Sequence, residues 1–345
     1  MKSYIFRRTF FDAFIFAYLA MVVLIIAAQP TPEQMLKLGQ NFVMFLIAMA
    51  IGAALSAGLN RSKNHRMHTM GESLFEPAYK KAAKAETSWY KTFSGWQLVV
   101  FLVVTFIVGL NTTKFSINEL LNEDGFAGAV RLFKGLFNPN FEILPKAVLN
   151  IIETIFMAFM ATTLAIPVAF VLSFFCAKNI MKSPGAYTVY MILRTFLNFT
   201  RAIEALIWAI IFSVWVGIGP FAGMLALMIH SVASLAKQYS EMVETVSEGP
   251  IEGIQSTGAT KLQTVWFAIV PQVILPYISF TVYRWDINVR MATIIGLVGG
   301  GGIGTMLIQY QGQAMWPEVG CIILVIAIVV WAMDQASAVI REALK

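Results

Sequence analysis

Nine ionisable residues lie within stretches otherwise apolar enough for a hydrocarbon environment: Asp12, Glu153, Arg194, Arg201, Glu204, Arg284, Asp286, Arg290 and Asp334. A charge near the centre of a bilayer costs at least about 2.5–3.5 kcal/mol on insertion scales, so such residues face a bundle interior or water. Arg194 and Arg201 are seven apart and share a helical face, with Glu204 near that face at i+3 from Arg201. Asp286 and Arg290 form an i,i+4 pair on another segment. Two chemistries fit. The charges can be internal ion pairs that fix helix packing, or unbalanced guanidinium groups can line a path for an anion, since their forked donors match oxyanion geometry. Within these segments the four arginines outnumber Glu204 and Asp286, which favours the anion path.

Other candidate chemistry is thin. His65, His68 and Glu72 have spacings a metal could use, but no Cys or second His pair joins them, and a solvated linker accounts for them. His230 is the one histidine in an apolar segment, which excludes bis-histidine haem ligation within the chain. No Walker A loop is present, so ATP hydrolysis in the usual way is excluded. Cys176 and Cys321 fall near opposite ends of their segments and are not expected to form a disulfide.

The elements that carry these residues follow from composition. Of 345 residues, 58% are hydrophobic and only 13% charged, about half the charge of an ordinary soluble domain. Several apolar windows reach the roughly 20 residues needed to cross about 30 Å of hydrocarbon. The fold class expected is an all-α polytopic membrane protein with eight spans, at 10–28, 41–59, 96–113, 148–176, 187–216, 220–236, 273–295 and 318–340. The segments 148–176 and 187–216 exceed one crossing and must tilt, kink (Pro167 in the first) or extend into the interface. The first span is too long for a signal peptide, is interrupted by Asp12, and ends in a poor cleavage site, so it reads as retained.

Lys and Arg are concentrated in alternate loops: three at the N-terminus, seven in 60–95, two each in 177–186, 237–271 and the C-terminal tail. The intervening loops hold Lys37, Lys114, Arg131, Lys134 and Lys146. Positive-inside bias then places both termini and segment 247–271 in the cytoplasm. It also accounts for the net charge of +6 without a nucleic-acid partner.

Segment 247–271, "SEGPIEGIQSTGATKLQTVWFAIVP", is polar and helix-prone between two apolar spans. Gly249-Pro250 suits a helix start, a short helix is expected over 251–257, and Gly258 can end it with φ > 0. A second helical piece reaches Pro271. On shape alone this is either a docking surface for a soluble partner or an amphipathic connector resting on lipid. Its order of residues resembles the EAA loop of ABC importer permeases. Glu252, Gly258 and Pro271 stand at that family's spacing, Gly253 and Ile254 replace its alanines, and Ala268 and Val270 replace its Ile and Leu. The resemblance implies an ATPase-coupling role for Glu248, Gly249, Pro250, Glu252, Gly253, Ile254 and Gly258.

Two further stretches, "RAIEALIWAIIFSVWVGIGPFAGMLALMIHS" (201–231) and "YRWDINVRMATIIGLVGGGGIG" (283–304), are similar to the permease subunit of phosphonate importers, PhnE-type members of the binding-protein-dependent transport family. The resemblance runs from about residue 96 to the C-terminus. It implies a six-span permease domain over 96–345, with two extra spans in 1–59 and a basic cytoplasmic linker at 60–95. Many relatives have Pro-Glu where Glu204-Ala205 stand here. The implied function is passage of phosphonate or a related phosphorus oxyanion across the bacterial inner membrane, with Arg201, Glu204, Arg284, Asp286 and Arg290 along the path. The implied partners are a second copy, two ATP-binding cassette subunits, an extracytoplasmic binding protein and lipid. The chain itself is expected to bind no cofactor, ATP and Mg being used by the ATPase. In the glycine run "GLVGGGGIG", Gly299, Gly300, Gly301, Gly302 and Gly304 can pack tightly or hinge an outer gate, or present N–H groups to an anion. A similar run occurs in methionine permeases, so a permease for another small solute such as an amino acid is the alternative. A secondary transporter would show internal repeats with paired broken helices, and a membrane enzyme a Ser–His or metal constellation; neither is evident.

Overall fold

The protein is described here by a computed structural model covering residues 2–28, 37–61, 65–76 and 88–344. The described residues form helices joined by turns, and cluster into two units, Met1–Asn122 and Glu123–Lys345. Among the described residues, seven helical runs are long and apolar enough to cross a membrane, and a pair of helices bent by 89° makes an eighth when counted as one span. These match the eight spans read from the sequence.

The first unit contains α1 (Lys2–Ala28), α2 (Leu38–Asn60), α3 (Met70–Phe75) and α4 (Phe93–Thr112). α1 and α2 pack closely where Gly52 meets Phe16: a Cβ on Gly52 would stand 2.8 Å from the Phe16 Cβ. Asp12 is fully buried and accepts hydrogen bonds from Ser56 Oγ (2.6 Å), from Thr69 Oγ1 and from the Gly71 N–H (2.7 Å). Arg8 pairs with Glu72 at 2.6 Å, and Gln97 on α4 accepts from the Met70 N–H at 2.9 Å. Residues 68–72 are therefore packed against α1 and α4. This corrects the solvated-linker reading of His68 and Glu72, both of which are buried. Burial would raise the Glu72 carboxyl, yet Tyr4 and Arg8 beside it hold it below its ordinary value. Polar residues in a loop read as solvated from sequence; here they are spent on the buried polar groups of α1.

Asp12→Ala leaves two buried donors, Ser56 Oγ and the Gly71 N–H, without an acceptor, each costing about 1–3 kcal/mol, while the Thr69 hydroxyl keeps Asn60 Oδ1 at 3.1 Å. The variant is expected to release residues 65–76 to added protease in intact membranes, and an unchanged cleavage pattern would refute the clasp.

In the second unit, α5 (Glu123–Leu136) precedes the long α6 (Leu144–Phe175), which continues through Pro167. α6 packs along α9 (Pro220–Glu244) through small residues, Ala158, Ala161, Ala165 and Ala169 facing Ala222, Ala226, Ala233 and Ala236, all essentially inaccessible. Small side chains let helix backbones approach where lipid offers no hydrophobic drive for association. α12 (Val270–Ile295) and α14 (Trp316–Ala343) complete the bundle around α6 and α9.

The overlong 187–216 segment resolves as a break. α7 (Pro184–Ala202) and α8 (Ala205–Val216) meet at 89°. No Pro or Gly stands there. The freed carbonyls are captured from the side instead: His230 Nδ1 lies 3.2 Å from the Ile203 oxygen, and Trp208 Nε1 donates to the Thr200 oxygen at 3.4 Å. The Glu204 carbonyl opens α8 by accepting from the Ile207 N–H at 3.0 Å.

Candidate functional site

The 247–271 segment folds as expected in outline. α10 (Glu248–Ser256) carries Gly249 and Pro250 in its first turn, and Gly258 follows with φ +81°, a left-handed conformation suited to a residue without Cβ. Thr260 and Gln263 then form a capping box that starts α11 (Lys261–Thr264). A π-turn over Val265–Ile269 was not foreseen. Pro271 explains it, since its ring excludes a normal helical bond to the turn before it. Gln272 mends the gap: its Nε2 donates to the Ala268 oxygen at 2.7 Å and its Oε1 accepts from the Ser247 N–H at 3.0 Å.

No residue of α10 is buried. Ile251 and Ile254 are half-buried, and Ile251 packs against the core, whereas Glu248, Glu252 and Gly253 are exposed. Gly249 and Gly253 have nothing within 4 Å of where a Cβ would stand. A helical glycine costs about 0.5–1 kcal/mol relative to alanine, and no contact among the described residues requires these two.

Just before α10, Glu244 accepts from Arg194 Nη1 at 2.7 Å and from the Lys178 N–H at 2.9 Å, while Arg194 also donates to the Cys176 oxygen at 3.0 Å. Asn179 Nδ2 donates to the Val243 oxygen at 2.7 Å. The ends of α6, α7 and α9 nearest α10 are thus tied together. Behind them Tyr239 and Tyr277 stack with centroids 3.8 Å apart, and Tyr277 shares a 3.0 Å hydrogen bond with Ser173.

The five residues read as lining a path fall into two groups. Asp286 is buried and pairs with Arg290 at 2.7 Å, as the i,i+4 spacing predicts, and Arg290 also reaches Asp334 at 3.4 Å. The other group gathers at the α7–α8 break. Arg201 and Glu204 are exposed and Arg284 is 8% exposed; the charges of all three bear on His230. Because α7 ends at Ala202, Arg201 and Glu204 do not share a helical face, which corrects the i+3 expectation. Arg194 stands apart, held by Glu244.

Arg284 forms no ion pair among the described residues. Its Nε donates to Ser231 Oγ at 3.1 Å, and Nη2 is buried without a partner. Asn288, one turn on, donates from Nδ2 to both Thr162 Oγ1 and Ser231 Oγ at 2.8 Å, and its Oδ1 is also unpartnered. This uncharged trio, Thr162, Ser231 and Asn288, was missed at the sequence level. A search for Asn, Ser and Thr one turn from an intramembrane arginine would have found Asn288.

The glycine run makes a tight turn between α12 and α13 (Gly302–Gly312). Gly301 has φ +80°, and a Cβ there would stand 2.6 Å from the Pro220 ring. Gly299 and Gly302 also have positive φ, and Gly300 and Gly304 lie against α12. Three of the turn's N–H groups are used within the chain: Gly299 N–H donates to the Gly296 oxygen at 3.2 Å, Gly300 N–H to the Ile295 oxygen at 3.1 Å, and Gly302 N–H to Glu153 at 3.2 Å. Close packing accounts for these glycines better than anion presentation does. Beside the turn lies a cavity of about 310 Å³ lined by Lys146, Asn150, Glu153, Gly301, Thr305 and Gln309 among others.

Residues 169–344 match the family described as binding-protein-dependent transport system inner membrane component. The chain is 33% identical over 246 residues to the phosphite transport system permease protein PtxC of Stutzerimonas stutzeri, covering 71% of this chain and 86% of that protein. It is 34% identical over 221 residues to the phosphate-import permease protein PhnE of Mycolicibacterium smegmatis, covering 64% and 41%. A putative cryptic phosphonate transport system permease protein, PhnE2 of Escherichia coli K12, is 40% identical over 119 residues, covering 34% and 98%. Among solved structures, an inward-facing MetNI methionine ABC transporter aligns with a TM-score of 0.52 at 21% identity, covering 60% of this chain and 99% of that one. At that identity the likeness speaks for the fold.

Proposed function

The chain belongs to the family of binding-protein-dependent transport system inner membrane components and is a permease subunit of an ABC importer; on that premise we propose that its cargo is a phosphorus oxyanion, and that α10 is where the ATPase drives it. ATP hydrolysis belongs to a separate subunit, and a substrate-binding protein delivers cargo to the multi-pass inner-membrane chain.

One observation carries the coupling role. Two glycines are built into an exposed helix at an energetic cost, with open space around them. A surface flattened in this way suits close approach by another protein's backbone. A lipid-resting connector would instead carry bulky apolar residues on its free face. Glu252 on the same exposed surface supplies charge for that contact. Two copies of the chain form the pathway, each with its own ATPase, and both termini lie on the ATPase side. The proposed domain division is a permease domain over 96–345 with additional spans before it, although α4 within that range clusters with the first unit, and the glycine turn at 299–304 is proposed as a hinge of the outer gate.

The cargo assignment follows the names of the relatives, phosphite, phosphate and phosphonate permeases, and the arginines at the α7–α8 break. Arg284 has no ion pair among the described residues and Arg201 is exposed, which leaves positive charge for an anion; Asp286 and Arg290, paired to each other, hold the wall of the path. In vesicles holding the permease with its ATPase and binding protein, ATP-dependent accumulation of phosphite or methylphosphonate is expected. Accumulation of methionine in their place would move the chain to the amino-acid alternative, and accumulation without ATP would move it to secondary transport.

A further inference from the structure

We propose that α5 is an interfacial helix that lies on the membrane with its aromatic stripe in the boundary between lipid headgroups and acyl chains. The cargo assignment plays no part in this.

α5 has 14 residues, about 21 Å at 1.5 Å per residue, which is too short to span. Its side chains separate sharply. Phe126, Val130, Phe133 and Phe137 recur at four-, three- and four-residue steps, within an arc of about 60° at 100° per residue. They are 60%, 48%, 55% and 85% exposed, so nothing in the unit covers them. Asp124, Arg131 and Lys134 lie on another side of the helix. Three large aromatic groups in one uncovered row are unfavourable on a water-facing helix.

The place of this helix in the unit names the occupant. The C-terminal end of α5 is fastened to the first turns of α14, a helix that crosses the membrane. Gly135 sits against Trp316, and Gly320 against the Leu136 carbonyl, each so closely that a Cβ would stand 2.5 Å from its neighbour. Asn140 donates from its backbone N–H to the Pro317 oxygen at 3.0 Å and from Nδ2 to Glu318 at 3.1 Å. The end of α5 is thereby held at the depth where α14 enters the bilayer. The lipid-facing surface of α14, with Ile323, Leu324 and Ile328 exposed, begins a turn or two below. A short helix with an apolar stripe and basic residues beside it, tethered at that depth, has the make-up of a helix lying in the interface plane. Lys134 can extend its stem over the apolar face and keep its ammonium among headgroups.

The test is site-directed spin labelling of the assembled importer in phospholipid vesicles. Cys176 and Cys321 are both buried free thiols, so an introduced cysteine is the one that labels. V130C is expected to be relaxed more by oxygen, which concentrates in lipid, than by a water-soluble nickel chelate. R131C is expected to show the reverse. If V130C assembles poorly, F126C on the same stripe reads the same surface. A V130C label accessible to the nickel chelate would mean that the stripe faces water. A label shielded from both relaxants would mean that protein covers it, a second copy or the binding protein. Either result overturns the proposal.

Discussion

Gly258→Leu and Glu252→Lys are each expected to abolish substrate-stimulated ATP hydrolysis and uptake while the chain stays at normal levels in the membrane. At Gly258 there is room for a side chain, since nothing lies within 4 Å of the Cβ position, but the backbone sits at φ +81°. A residue with Cβ costs about 1–2 kcal/mol in that conformation, so leucine shifts the turn and with it the direction in which α10 is presented. The core is spared because α10 contributes no buried residue to it. Glu252→Lys reverses a charge on the exposed surface without touching the fold. Membrane abundance, ATPase activity and uptake measured on the same reconstituted sample check both variants. Wild-type uptake in both would return α10 to a lipid-resting connector.

Arg284→Gln is expected to leave the assembled complex at normal abundance and to slow uptake by about tenfold or more, the loss of one charge-assisted contact of roughly 1.5–3 kcal/mol. The reasoning turns on what the residue leaves behind. Arg284 has no carboxylate partner among the described residues, so glutamine removes a poorly solvated charge, and Ser231 Oγ still accepts from Asn288 Nδ2. Arg290→Gln is the contrast: it strands Asp286, which is buried, and leaving that carboxylate unsatisfied costs about 1–3 kcal/mol or more. Abundance should therefore fall for Arg290→Gln and hold for Arg284→Gln. By helical rise Arg284 lies roughly 20 Å beyond Pro271, near mid-membrane, with Arg290 about 9 Å further. Equal losses of complex and uptake in Arg284→Gln would make its role one of packing.

The parts of this fold that were legible in the sequence rest on long apolar windows and on glycine and proline. Eight spans follow from composition, and Gly249-Pro250, Gly258 and Pro271 outline the α10–α12 module. The break at Ile203–Glu204 was not legible because "RAIEAL" contains no breaker; its loose carbonyls are satisfied by His230, from a distant helix, and by Trp208, whose Nε1 donates from the next helix to the Thr200 oxygen. The i,i+4 pair of Asp286 and Arg290 follows from local spacing, whereas the pairing of Arg194 with Glu244, fifty positions away, does not. Asn288 was passed over because an uncharged residue in an apolar segment draws no attention, although its two hydrogen bonds link α12 to both α6 and α9.

The buried Asp12 also sets an order of events during synthesis. Its carboxylate belongs to α1, but the groups that satisfy it come later in the chain, at Ser56, Thr69 and Gly71. When α1 first meets the insertion machinery it carries a polar group with no partner yet translated, and the cost of leaving it in lipid alone is about 2.5–3.5 kcal/mol. That cost is offset only when residues 56 to 71 follow, so α1, α2 and the segment after them reach their final packing together.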